Sequence, residues 1–99
     1  MSPPPVVAHR GLAARYPENT LAAFRAALEA GASYLEVDLQ LSSDGVAFVH
    51  HDWDTLRTCG VPGILGDQSA AQLAGLTAGF NARFGEEFMG EPLPSLTDL

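Results

Sequence analysis

The sequence contains no lysine: its 5 basic residues are all arginine, set against 12 acidic residues for a net charge of −7. This balance excludes general binding to nucleic acid or to an anionic membrane surface, because both need clustered cations facing phosphates. It leaves room for a small phosphate ligand, since one arginine together with a metal ion reverses the potential locally. Cysteine is almost missing as well. Cys59 stands alone, so no internal disulfide is available and an exported, disulfide-held scaffold is excluded. No apolar run is long enough for stable membrane insertion, and the Met-Ser-Pro-Pro-Pro start has neither a basic nor an apolar signal region. The expected address is cytoplasmic. No internal repeat recurs at a fixed period, and 99 residues allow at most one small domain.

What is present reads as alternating strands and helices. Pro5–Ala8 is a short buried strand. Leu21, Phe24, Ala27 and Leu28 recur at helical spacing, with Asn19 or Thr20 able to cap the start and Gly31 to end it in the left-handed conformation. Residues 34–42 alternate cleanly: Leu35, Val37, Leu39 and Leu41 point one way, and Glu36, Asp38 and Gln40 the other. Ser42-Ser43-Asp44-Gly45 is a turn, and residues 46–51 form a third strand. So short a turn predicts an antiparallel pair, in conflict with a purely parallel sheet. Ser69 with Gln72 is a capping-box pattern for a helix over Ala70–Leu76, and Ser95 with Asp98 repeats it at the end of the chain. Residues 77–92 have weak periodicity and are expected to be irregular.

Several side chains carry chemistry. Glu36 and Asp38 share one face of their strand: either they simply face water, or they ligate a hard cation such as Ca²⁺ or Mg²⁺. His9 ends the first strand and His51 the third, where α/β folds gather catalytic groups, and two histidines beside an acidic pair point to acid–base work. Arg10 suits bidentate phosphate binding, with an ordinary ion pair as the alternative. His50 faces away from His51 and is read as packing or solvent-facing. Trp53 either lines a pocket mouth or packs. Cys59 has no motif around it that would make it a nucleophile.

These motifs, taken together, resemble the glycerophosphodiester phosphodiesterase family. His9-Arg10-Gly11, Pro17-Glu18-Asn19-Thr20, Gly31-Ala32, Glu36-x-Asp38 with Gln40, Asp44-Gly45, His51-Asp52 and Arg57-Thr58 follow that family's order and spacing. Residues 90–96 resemble its segment ahead of the next helix. The resemblance implies a TIM barrel that hydrolyses a small glycerophosphodiester, such as glycerophosphocholine, to an alcohol and glycerol 3-phosphate. It implies His9 and His51 as the acid–base pair, Arg10 as the phosphate-binding residue, and Glu36 and Asp38 as ligands of a divalent metal, Mg²⁺ or Ca²⁺. Two features depart from the family: His50 occupies a usually apolar position, and the loop between His51 and Arg57 differs in form.

A complete barrel needs about 250 residues, so residues 1–99 are expected to form the N-terminal third of one domain. The third acidic ligand is then expected beyond residue 99, and this chain alone is expected to be inactive. Two other readings are a catalytically silent binding module and a phospholipase D-like relative acting on lipid phosphodiesters. An open third of a barrel would expose strand edges, so self-association is expected; a sharp monomer peak in sizing chromatography at high concentration would contradict it.

Overall fold

A computed structural model describes residues 7–99 and opens with a strand–helix–strand unit. β1 (Val7–His9) pairs in parallel with β2 (Tyr34–Glu36), and α1 (Leu21–Glu29) makes the crossover that parallel neighbours require. Of the buried strand expected over Pro5–Ala8, Val7 and Ala8 are in a strand that runs on to His9, but it is not buried, since Val7 and His9 are exposed; residues 1–6 lie outside the described residues.

Thr20 caps α1, its hydroxyl accepting from Ala23 N at 3.2 Å and donating to the Pro17 carbonyl at 2.7 Å. A second cap comes from far along the chain: Glu91 Oε1 accepts from Ala22 N at 3.1 Å, placing a carboxylate at the positive end of the helix. Ala23, Phe24 and Ala27 are buried, whereas Leu28, grouped with them by spacing, is exposed. Gly31 follows the helix with φ +94°, the left-handed exit expected of it. Gly11 is fixed by close approach. A Cβ there would sit 2.7 Å from the Ala23 carbonyl carbon, and φ is +80°, so only glycine lets the loop after β1 lie on α1.

The single strand expected over residues 34–42 is two. β2 ends at Glu36, and β3 (Leu39–Leu41) pairs antiparallel with β4 (Ala47–Val49) in the register Leu39↔Val49 and Leu41↔Ala47. At Val37–Asp38 the chain leaves one partner for another, and the Asp38 carbonyl accepts from His50 N at 2.9 Å. The apolar–polar alternation of the sequence continues across the break and so does not mark it. The antiparallel pairing agrees with the turn expected at residues 42–45, where Ser42 Oγ accepts from Val46 N at 2.9 Å.

On its other edge β4 meets the end of the chain, with Val49 N donating to the Pro94 carbonyl at 2.9 Å and Phe48 bridging to Ser95. Phe48, Leu65, Leu73, Ala78 and Leu93 form the main core cluster. Against it pack α2 (Leu56–Cys59), through Cys59, and α3 (Ala70–Ala74), while α4 (Asn81–Phe84) lies against α2 and puts a turn of helix in residues 77–92, which were expected to be irregular. Ser69 and Gln72 form the expected capping box at α3, and Ser95 N donates to Asp98 Oδ2 at 2.9 Å where a final 3-10 turn begins. Val7, Tyr34 and Leu41, on three of the four strands, are each 61% exposed and leave apolar sheet surface uncovered.

Candidate active site

The parallel register sets the first contact. His9 stands opposite Glu36, and its Nε2 lies 2.6 Å from Glu36 Oε2. Directly after β1 the backbone turns through two residues in the left-handed region, Arg10 at φ 58° and Gly11. Arg10 N donates to the Glu36 carbonyl and the Arg10 carbonyl accepts from Asn19 N, both at 2.9 Å. The loop is thereby folded back so that Arg10 and Asn19 converge on Asp38, with Glu18 against Arg10.

Asp38 Oδ2 receives two of these groups. Asn19 Nδ2 donates to it at 3.0 Å, and Arg10 Nε lies 3.1 Å away, a charge contact whose angle is too poor for a hydrogen bond. Asn19 itself is buried, sits at φ 54°, and keeps its Oδ1 buried without a partner. Such an orphaned acceptor is costly unless something else satisfies it. Arg10 Nη1 reaches Glu18 Oε2 at 3.3 Å, and Nη2 donates no hydrogen bond among the described residues.

Glu18 joins this cluster to the loop after β4. Arg57 donates from Nη1 to Glu18 Oε1 at 2.7 Å and from Nη2 to Glu18 Oε2 at 2.9 Å. The same guanidinium donates from Nε to Asp52 Oδ2 at 2.8 Å and from Nη2 to Asp52 Oδ1 at 2.9 Å. Asp52 Oδ1 lies 2.8 Å from His51 Nδ1. The backbone of this loop is held from below by Gln40, whose Nε2 lies 3.0, 3.0 and 2.6 Å from the carbonyls of His50, His51 and Asp52. His51 is therefore two residues past the end of β4 rather than on it, and is placed by Gln40 rather than by the strand ladder.

The charges follow from these contacts. Burial works against ionised Glu18, but the bonds and charge of Arg57, with Arg10 behind them, outweigh it and hold the carboxyl below its ordinary value. The Arg57 hydrogen bond draws Asp52 well below the usual carboxylate range, with His51 adding to it, and bonds to Asp52 and Glu18 raise Arg57 in turn. Glu18, Glu36, Asp38 and Asp52 oppose only Arg10 and Arg57, so with neutral histidines the cluster is net negative by two charges. That excess, the hard oxygens of Glu36 and Asp38 and the orphaned Asn19 oxygen suit a divalent cation. Among the described residues no three His, Cys, Asp or Glu side chains close around one point to hold a metal ion, so these two carboxylates are a partial ligand set.

All five residues singled out from sequence stand at this end of the strands, with Arg10 touching Asp38, His9 touching Glu36, and His51 joined to Arg10 through Asp52, Arg57 and Glu18. Glu18, Asn19, Gln40, Asp52 and Arg57 were legible as motif members but not in these roles. His50 is buried with Nε2 2.7 Å from the Asp54 carbonyl, a packing role as expected. Trp53 is 81% exposed, so its indole is not packed into a core among the described residues. Burial raises the Cys59 thiol, which agrees with no nucleophilic role.

A strand–helix–strand unit with charged groups collected just beyond the strands' ends is the unit from which (β/α)8 barrels are built. Residues 9–99 match the Glycerophosphoryl diester phosphodiesterase family, and the chain belongs to it. It is 43% identical over 94 residues to a glycerophosphodiester phosphodiesterase of Caldanaerobacter subterraneus, a match covering 95% of this chain and 38% of the relative. The solved glycerophosphodiester phosphodiesterase of Agrobacterium tumefaciens superposes with a TM-score of 0.87 at 39% identity, over 93% of this chain and 39% of that one. An Oleispira antarctica phosphodiesterase, solved in complex with the product sn-glycerol-3-phosphate, gives a TM-score of 0.86 at 38% identity, over 94% of this chain and 37% of that one. The chain thus spans well under half the length of these relatives. No helix among the described residues is long and apolar enough to cross a membrane.

Proposed function

We propose that these residues form one side of an active site that hydrolyses small glycerophosphodiesters. The observation that supports this most is the position of Arg10. It follows the His9 imidazole in sequence and bonds or abuts Glu18 and Asp38, so acid–base, anion-binding and cation-binding groups share one cluster. The product named for the Oleispira structure supports the substrate class.

In the proposed reaction one histidine takes the proton of the attacking hydroxyl, from water or from the substrate. The other returns a proton to the leaving alcohol. With water attacking, the P–O bond to the alcohol breaks as the new P–O bond forms, giving an alcohol and glycerol 3-phosphate. With a substrate hydroxyl attacking, the alcohol leaves a cyclic phosphate, whose ring P–O bond one water then breaks to give glycerol 3-phosphate. Arg10 offers Nη2 to the phosphoryl oxygens while its other nitrogens stay on carboxylates. Glu36 and Asp38 would hold Mg²⁺ or Ca²⁺, which supplies Lewis-acid stabilisation of the phosphoryl charge. The remaining ligand and the rest of the barrel wall belong, on this reading, to one larger domain, so the 99 residues alone do not turn over.

The test is a chimera in which residues 7–99 replace the matching segment of the Agrobacterium relative, followed by ³¹P NMR with glycerophosphocholine. The expected result is glycerol 3-phosphate, formed only without chelator. A cyclic phosphate as end product would indicate the lipid-diesterase type instead. Binding of glycerol 3-phosphate with no turnover would indicate a silent binding module.

A further inference from the structure

We propose that Asp52 and Arg57 are positioning residues that hold His51 with its proton on Nδ1 and its lone pair on Nε2, and that Glu18 anchors them. The inference rests on the reading of His51 as an acid–base group, but its geometry stands apart from activity. An ionised carboxylate can only accept hydrogen bonds. With Asp52 held anionic by Arg57, the 2.8 Å contact from Asp52 Oδ1 to His51 Nδ1 requires the N–H on Nδ1. Nε2, the nitrogen farther from the backbone, is left to accept or release a proton.

Asp52 would be a poor anchor by itself, since it lies in a loop and its side chain is 25% exposed. Arg57 removes that freedom by donating to both of its oxygens. Arg57 is itself fixed because its remaining donors reach both oxygens of Glu18, whose side chain is only 11% exposed. Glu18 lies 39 residues away in sequence, on the segment that leads into α1. The imidazole is thus oriented from the first βα loop, and Gln40 fixes the same loop's backbone independently. The arrangement generalises the carboxylate–imidazole pairing by which a buried acid sets a histidine's tautomer.

The experiment uses the ¹⁵N-histidine-labelled 99-residue chain at about pH 9, well above the ordinary histidine value of about 6.5. Long-range ¹H–¹⁵N spectra then report the tautomer of neutral His51. The wild type is expected to carry the proton on Nδ1. Asp52→Asn, whose amide can donate to Nδ1, is expected to move it to Nε2, shifting the ratio by about tenfold or more. Arg57→Lys keeps a charge without the fork and is expected to fall between them; it decides the matter if Asp52→Asn does not fold. His51 protonated on Nε2 in the wild type, or a ratio unmoved in the folded variants, overturns the proposal. In the chimera, Asp52→Asn is expected to lower kcat with KM unchanged. If His51→Ala leaves that activity intact while the tautomer behaves as stated, the acid–base reading fails and the positioning geometry survives.

Discussion

Replacing His51 with alanine in the chimera lowers the rate of diester hydrolysis roughly 10²–10⁴-fold, the range expected when a general acid or base is removed. KM stays nearly constant, because the imidazole moves a proton and does not carry the substrate's charge. His9→Ala has the same signature. Stability separates this from a folding effect: the His9 side chain is 63% exposed and the His51 side chain 45%, and each has one side-chain partner. Losing one partly exposed contact of this kind costs about 1 kcal/mol or less. Paired kinetics and urea melts make the check. A rate loss below about tenfold, or one matched by a large loss of stability, would remove His51 from the chemistry.

Arg57→Ala is expected to have the largest effect on stability. It strips four hydrogen bonds from Glu18 and Asp52 and leaves Glu18 buried beside Asp52 with only Arg10 to balance it. Breaking a buried pair costs about 3–5 kcal/mol. The Arg57 side chain is 39% exposed, so solvent screening reduces this to about 1–2 kcal/mol. The same pair sets an acid limit. Glu18 and Asp52 both titrate below their ordinary values in the folded chain, so the unfolded chain binds more protons in that range. Their contribution is fully present above the ordinary carboxylate values of about 4 and is lost as pH falls through the depressed folded ones. Urea midpoints from pH 7 to 3 should therefore drop below about pH 4.5 in the wild type. They should drop less steeply in Arg57→Ala. Parallel curves for the two proteins would show that Arg57 is not the source of the acid sensitivity.

The local elements were legible because each has a local cause. The capping residues Thr20 and Ser69, the left-handed Gly31 and the four-residue turn at 42–45 act within a few positions of themselves. The site was legible as residue types in order, but not as contacts. Glu18 meets Arg57 across 39 residues and Ala22 meets Glu91 across 69, separations at which no periodicity carries information. Arg10 takes positive φ against its intrinsic preference, tied by its backbone bond to Asn19, a residue type that adopts such angles readily. The break at Val37–Asp38 was hidden for a different reason: the apolar–polar alternation of the sequence runs through it, although Leu39 and Leu41 beyond it are exposed.

This chain's own Glu36 and Asp38 are expected to make a usable cation site next to His9. A thermal melt of the 99-residue chain by circular dichroism, repeated across Mg²⁺ and Ca²⁺ titrations, tests it most directly. The expected result is a cooperative transition stabilised by about 1.4 kcal/mol when the metal stands about tenfold above its Kd, which is several °C for a chain of this size. The same titration of Asp38→Asn should leave the midpoint where it was. A wild-type melt that neither ion moves would contradict that expectation.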